Sequence, residues 1–546
     1  MKINAESGGF FAVLAFTALL LTWTAVGPCL NNGFVNWDEQ KYIQENRKIR
    51  SLTPESAAAI FTSRDLGMYS PLSTLSYAVN YRFSGLSPKA YHGTDIALHL
   101  ANTTLVMLLV RLLLPGLWPA FLCGLFFGIH PAHIESVAWA AERKDLLYSF
   151  FYLLSLCAYT LSLKGKRTYL AALGFFVCSL LSKPMAVTLP LTLLLVDYLK
   201  LKSVGWPQWA GKLPFFVIAA VFSLAVMPPA SEAVRWAPFG LRLGLALYNF
   251  GFYLYTLAWP FDLSAMYVLP PGGIKFMYLY AAATAACAAL FFRYFRRDKA
   301  VMFGAGFYAA ALLPVLQLIP FGPVISADRY TYISSLGLFI GAYALAAGGW
   351  ARCGAPARKT VVFLVAAAAM IFTVTARVRC AVWKDGISLW TDTLLKQPSA
   401  KPALGNLCAA YLHAGRDGEA AQCLAGATRI YPENSENFYN FGVLTARNGD
   451  LSAARKYFEH TLQMQENHTL ALFSLGKLAQ DSGQTARAEK FFLRAVECDG
   501  AFAPALRGLG GIAASRNDKA AARKYYERAD KENPPEPSGA ALPRQP

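Results

Sequence analysis

From residue 9 to about residue 378 the chain alternates long apolar runs with short polar loops; after that the long runs stop. The runs lie at 9–27, 95–114, 117–130, 145–163, 168–182, 184–200, 213–229, 241–260, 275–293, 300–320, 330–349 and 359–377. Stretches of this kind predict membrane-crossing helices. The first has no small-residue cleavage site behind it and reads as a retained span, not a signal peptide. Charge decides the count. With Met1 cytoplasmic, Arg111, the loop Lys164-Gly165-Lys166-Arg167 and the pair Lys200 and Lys202 fall inside, where basic loop residues belong. If 241–260 crosses, the basic cluster from Arg293 to Lys299 falls outside. If it does not, that cluster and Arg352, Arg358 and Lys359 all fall inside. The segment 241–260 is interrupted by Asn249 and Gly251 and ends at Trp259-Pro260, which suits a re-entrant or interfacial helix. The expectation is about eleven crossings, with everything after 377 outside the cytoplasm. A twelve-span arrangement, with the C-terminal part inside, is the alternative.

The remainder has a different period. Cys408, Gly442, Gly476 and Gly510 are spaced by 34, as are Leu404, Phe438, Leu472 and Leu506. Ala420, Ala454, Ala488 and Ala522 form a third register; Leu424, Phe458, Phe492 and Tyr526 form a fourth. This is the period and residue pattern of the tetratricopeptide repeat, a helical hairpin whose small residues let its two helices touch. Four units suffice to stack a core, and such arrays bind peptides or proteins. The expected organisation is all-α. A polytopic membrane bundle occupies 1–378, with a long first extracytoplasmic loop at 28–94. An amphipathic linker at 379–400, holding Trp383 and Trp390, would rest on the membrane surface. Four repeats fill 401–536, and the Pro-rich tail 537–546 reads as disordered.

Composition sharpens this. The 546 residues are 55% hydrophobic with a mean hydropathy of +0.34, too apolar for a soluble chain of this length. A net charge of +18 would suggest nucleic acid in a soluble protein. Here the basic residues sit in loops between spans, and no basic-aromatic groove pattern appears, so nucleic acid is not expected as a partner. The ten cysteines form no CxxC, so no zinc or redox site is signalled. Cys408 and Cys423 share one helical hairpin; they read as two small buried residues, with pairing in an oxidising compartment as the alternative.

On the eleven-span count, four polar stretches share the extracytoplasmic face: 28–94, 130–145, 230–274 and 321–330. The first opens with Asn36-Trp37-Asp38-Glu39. The second holds His130-Pro131-Ala132-His133-Ile134-Glu135 and Glu142-Arg143-Lys144-Asp145; the last holds Ala327-Asp328-Arg329-Tyr330. Lys183-Pro184 lies between two spans at the same face. Ionisable residues at membrane depth are costly, so their concentration on one face marks a candidate site, interface anchors and loop salt bridges being the structural alternative. For Asp38 and Glu39 that alternative is a capping role after Asn36.

These motifs, in this order, resemble the transmembrane and tetratricopeptide repeat-containing family of O-mannosyltransferases and its bacterial relatives. That family lies within the GT-C class of membrane glycosyltransferases that use lipid-linked sugars. The resemblance rests on Trp37-Asp38-Glu39, on Tyr69-Ser70-Pro71-Leu72-Ser73, on Tyr91-His92 leading to His99, and on His130 through Val137 with Arg143-Lys144-Asp145. It continues in Ser182-Lys183-Pro184, Leu318-Ile319-Pro320 and Ala327 through Tyr330, and in the repeats. Ser70 departs from the pattern, since relatives are expected to have a basic residue before Pro71. The short repeat array fits a bacterial member, in the inner membrane with periplasmic repeats; a eukaryotic one would have them in the ER lumen.

The resemblance implies transfer of a sugar from a polyprenyl- or dolichyl-phosphate to a hydroxyl, as on protein Ser or Thr, with the repeats presenting the acceptor or a partner. Such chemistry needs a carboxylate base, for which Asp38 is the choice with Glu39 as helper. It needs cations for the departing phosphate: Arg143, Lys144, Lys183 and Arg329. His130, His133, Glu135, Asp145, Asp328 and Tyr330 are left to orient sugar and acceptor. A divalent cation, Mg²⁺ or Mn²⁺, would suit the carboxylates, but no ligand spacing demands one, and none is assigned. Two other readings stay open. One is a ligase or oligosaccharide transferase acting on lipid-diphosphate glycans, against which the long loop is first where a late one is expected. The other is a non-enzymatic membrane scaffold displaying the repeats.

Overall fold

The computed structural model describes residues 5–202, 205–226, 238–269, 273–318 and 324–532. The tail 537–546 and the Ile319-Pro320 part of one motif lie outside them. The described residues are helical and contain no strand beyond one isolated bridge, Asp65 with Met68. The chain divides into two compact units, Met1–Ala400 and Lys401–Pro546.

Among the described residues of the first unit, seven helices are long and apolar enough to cross a membrane: Gly8–Asn31, Pro88–Leu113, Ala140–Ser162, Trp206–Val226, Gly273–Phe295, Asp328–Trp350 and Ala355–Val382. Trp118–Ile129 and Pro131–Ala138 make an eighth if the pair, bent by 54° at His130-Pro131, counts as one span. Eleven spans of full length are therefore not formed by the described residues. The apolar runs at 168–182, 184–200 and 300–320 yield helices of 12–14 residues, Tyr169–Ser182, Leu189–Lys200 and Lys299–Leu312. At 1.5 Å per residue these reach about 18–21 Å, short of a bilayer core. Prolines set the limits. Pro184 and Pro314 open 3-10 turns where a longer helix would have continued.

The segment expected to re-enter is an unbroken helix, Phe239–Ala258. Its two interruptions are packing positions. Asn249 is buried, donating to the Ile325 carbonyl at 3.1 Å and accepting from Ser326 Oγ at 2.7 Å. Gly251 lies against Thr284 so closely that a Cβ would be 2.2 Å from its Oγ1. Small residues likewise bring Lys299–Leu312 onto Thr331–Trp350, where a Cβ on Gly337 would fall 2.5 Å from the Gly304 carbonyl oxygen. Close backbone approach of this kind is how helices associate without a hydrophobic driving force.

The linker packs against the first unit. Asp385 caps the helix Gly386–Lys396 by accepting from the Ser388 N–H at 2.8 Å. That helix buries Leu389, Trp390 and Thr393 inside the first unit, and Trp390 Nε1 donates to Asn36 Oδ1 at 3.0 Å.

The second unit is eight helices in four hairpins, running from Lys401–His413 and Asp417–Ile430 to Ala503–Ser515 and Lys519–Glu532. The 34-residue registers are its packing rules. Gly442, Gly476 and Gly510 admit the rings of Phe458, Phe492 and Tyr526, where a Cβ would come within 2.4–2.7 Å. The first repeat has Cys408 in the glycine register and the smaller Leu424 in the ring register. Cys408 uses that space to form a disulfide with Cys423, Cα atoms 5.3 Å apart. The reading of two small unpaired cysteines is thus corrected: Leu in place of Phe leaves room for the bridge.

Candidate active site

The first loop is tied to the 130–145 segment by Glu39 and Trp37 among others. Glu39, buried, accepts from the Val35 N–H at 2.5 Å and the Ala140 N–H at 2.7 Å. Trp37 stacks on Trp139 with ring centroids 4.2 Å apart and planes 16° apart; Trp390 meets the edge of Trp37 at 5.0 Å. Burial pushes the Glu39 carboxyl up to about 8, against the pull of its backbone donors. Asp38 lies between these anchors, half-buried, and its carboxylate has no hydrogen bond or ion pair among the described residues. Burial raises its pKa; the charges of Lys144 and Arg329 lower it, and Glu142 raises it. Asp38 therefore senses the cationic group described next without being locked to it.

That group forms because three short elements end together. Residues 130–142 turn through Pro131–His133, Ile134–Ala138 and Ala140–Glu142 before the long helix Arg143–Ser162 begins. This puts Glu142 at that helix's N-terminus, with Lys144 and Asp145 in its first turn. Lys183 joins after Ser182, and Arg329 comes from the 3-10 turn Asp328–Tyr330. Lys183 Nζ is 2.5 Å from Asp145 and 3.1 Å from Glu142. Burial disfavours its charge, but Asp145 and Glu142 more than offset this and raise its pKa. Arg329 Nη1 is 2.5 Å from Glu135, whose other oxygen takes the Arg329 N–H at 2.9 Å. Lys144 Nζ is 3.3 Å from Glu142 and stands 4.1 Å from the Tyr42 ring centroid. Tyr330 lies beneath Arg329 at 5.0 Å and near Lys183 at 5.9 Å.

Other expected site residues are engaged elsewhere. Arg143 is fully buried and turned away, with Nε on Asp95 at 2.6 Å, Nη1 on Asn80 at 2.5 Å and Nη2 on the Tyr91 carbonyl at 3.0 Å. Neighbours on a helix point about 100° apart, so Arg143 and Lys144 do not share a face. His130 spends its ring nitrogens on the Leu257 carbonyl and the Ala132 N–H. His133 spends its own on the Phe127 carbonyl and Ser335 Oγ. Both hold the bend between the two short helices and have no ring nitrogen left for a ligand. Asp328 accepts from the Tyr267 hydroxyl at 2.5 Å, bracing the turn that carries Arg329.

Glu142, Trp139 and Tyr267 were not singled out from sequence. Glu142 was visible as an acid beside two bases, but its place as a hub depends on the helix starting one residue later. Among the described residues, no three His, Cys, Asp or Glu side chains gather so as to hold a metal ion. The site carboxylates other than Asp38 and Glu39 are each held by a Lys, an Arg or a Tyr. Beside the Asp328–Tyr267 pair lies a cavity of about 480 Å³, lined by Tyr248, Tyr255, Thr256, Trp259, Asp262 and Ser326 among others. Chemically, the arrangement offers a half-buried carboxylate in the field of Lys144 and Arg329, and three buried cations that converge on Glu142. It can accept a proton and stabilise an anion.

A profile of the tetratricopeptide repeat matches residues 439–501. The chain is 31% identical over 198 residues to "Protein O-mannosyl-transferase Tmtc1" of Drosophila melanogaster, covering 34% of this chain and 22% of that protein. It is 38% identical over 128 residues to "Protein O-mannosyl-transferase TMTC2" of Homo sapiens, covering 22% and 15%. The matches thus span about a fifth of those relatives' length. Among solved structures, MamA is 18% identical, covers 27% of this chain and 86% of its own, and has a TM-score of 0.24, a likeness too slight to bear on the fold.

Proposed function

Proceeding from a chain that is a TMTC-like, repeat-bearing membrane protein, we propose that it is a glycosyltransferase of GT-C type. It moves a sugar from a polyprenyl- or dolichyl-phosphate to a hydroxyl, protein Ser or Thr by preference. The observation that carries this is the uncommitted Asp38 carboxylate in the field of Lys144 and Arg329, two of the three buried cations that meet Glu142. Asp38 takes the proton of the acceptor hydroxyl as its oxygen attacks the anomeric carbon. The bond from that carbon to the phosphate oxygen breaks, and the lipid phosphate leaves with its charge stabilised by the three cations. These cations are assigned that work. Glu39 acts through Asp38, fixing the loop that carries it; Glu135 and Asp145 hold Arg329 and Lys183 in place. The repeats present the acceptor.

The disulfide supports one sidedness. Bridges such as Cys408–Cys423 persist in oxidising compartments. This supports repeats on the extracytoplasmic side, in the periplasm of a bacterial inner membrane or in an ER lumen. A scaffold that merely displays repeats has no use for three buried cations gathered beside an unpaired acid, which favours the enzymatic reading.

The test is a panel of polyprenyl-phosphate sugars offered to the purified full chain with a Ser/Thr peptide. One donor is expected to raise the unfolding temperature and to be consumed. No protection and no consumption across the panel contradicts the reading.

A further inference from the structure

Glu142 is the residue on which the site's cations converge. Its carboxylate is 3.1 Å from Lys183 Nζ, 3.3 Å from Lys144 Nζ and 3.6 Å from Arg329 Nε. It is buried and stands directly ahead of the 20-residue helix Arg143–Ser162, at the end where free N–H groups and the dipole favour an anion. Lys183 and Arg329 each have a second carboxylate of their own, Asp145 and Glu135, both at 2.5 Å. Among the described residues Lys144 has one ion pair, with Glu142, and it stands over the Tyr42 ring. What the three cations share is therefore an anion site whose resident anion is a side chain of the protein itself. Asp145 and Glu135 already balance two of the three cations, so Glu142 is the carboxylate that brings the cluster to neutrality, and without it one positive charge and the helix terminus are left for another anion.

We propose that Glu142 is an internal stand-in for the donor's phosphate, an inference that rests on the phosphate reading of the site. With no phosphate bound, its carboxylate holds Lys144, Lys183 and Arg329 converged. With phosphate bound, it is a like charge beside the ligand. It weakens the hold on the lipid phosphate product and reclaims the cations as the product leaves. Asp145 and Glu135 keep two of the cations in position without it, so removing its charge strengthens the clamp and does not dismantle it.

The test uses the full chain in detergent, with farnesyl phosphate as the probe and calorimetric titration as the readout. Glu142→Gln is expected to bind at least about tenfold tighter than the wild type, a like charge having been removed at contact distance. Glu142→Asp, which keeps the charge but withdraws it by one methylene, is expected to fall between them. Lys144→Met is expected to weaken binding. Should Glu142→Gln fail to fold, Glu142→Asp decides, tighter binding supporting the role and equal or weaker binding overturning it. If the wild type binds and Lys144→Met binds less well, but neither Glu142 variant binds tighter, the phosphate site stands and the stand-in role is wrong. If neither the wild type nor any variant binds, the phosphate reading falls and this inference with it.

Discussion

Asp38 and Glu39 are chemically alike and adjacent, and the fold gives them opposite work. Glu39 uses both oxygens on backbone donors from two loops, while Asp38 keeps its carboxylate uncommitted. Glu39→Gln retains one acceptor oxygen and turns an amide toward a backbone N–H. It should lower stability by about 1–3 kcal/mol, the penalty for an unmet buried donor. The fall should appear in thermal unfolding, with the repeats' own transition unchanged. The raised pKa of Glu39 also has a sign. Its ordinary value is 4.5 and its folded value is about 8, so between these the folded state binds the extra proton. The Glu39 contribution is fully present below about pH 4.5 and is lost as pH rises toward 8; in the Gln variant that part of the pH dependence should vanish. Sequence alone marked the acids and bases of this face. It did not separate Arg143 from Lys144, because one residue of helical phase sends Arg143 to Asp95 and Asn80. Nor did it show that His130 and His133 are consumed by carbonyls, since a bend has no signature in the histidines that brace it.

At the scale of elements, the repeats were the most legible part. A 34-residue period imposes the same Gly-on-ring contact in three successive hairpins. The first hairpin broke the pattern and used the space for a disulfide. With its cysteines 15 positions apart in sequence, losing it through Cys408→Ser should cost about 3 kcal/mol on the chain-entropy account. Unfolding of the repeats should drop equally when the wild type is reduced, and reductant should then have no further effect on the variant. The membrane helices were less legible, because apolar length alone does not reveal where Pro184 and Pro314 shorten a run into a 12–14-residue helix. Element packing reaches the site through Gly337. A Cβ there meets backbone, the Gly304 oxygen at 2.5 Å and the Tyr308 nitrogen at 2.6 Å, and backbone does not yield cheaply. Gly337→Ala should cost about 1–3 kcal/mol or more. It should also depress transfer, because the displaced helix, Thr331–Trp350, directly follows Asp328-Arg329-Tyr330. An unfolding temperature and a turnover that both stay at wild-type values would refute that coupling.

For the molecule as a whole, orientation is the property on which the proposed chemistry depends. Cys498 is an exposed thiol in the third repeat. A membrane-impermeant maleimide should label it in cells whose inner membrane is intact; labelling only after permeabilisation would put the repeats on the cytoplasmic side. The central claim is narrower: one carboxylate at the mouth of a cationic cluster performs base catalysis on a lipid-linked sugar. Turnover of a polyprenyl-phosphate sugar by Asp38→Asn, in purified full-length protein, tests it most directly. A loss of about 10²–10⁴-fold with an unchanged unfolding temperature is the predicted result; wild-type turnover by a folded Asp38→Asn protein would contradict the claim.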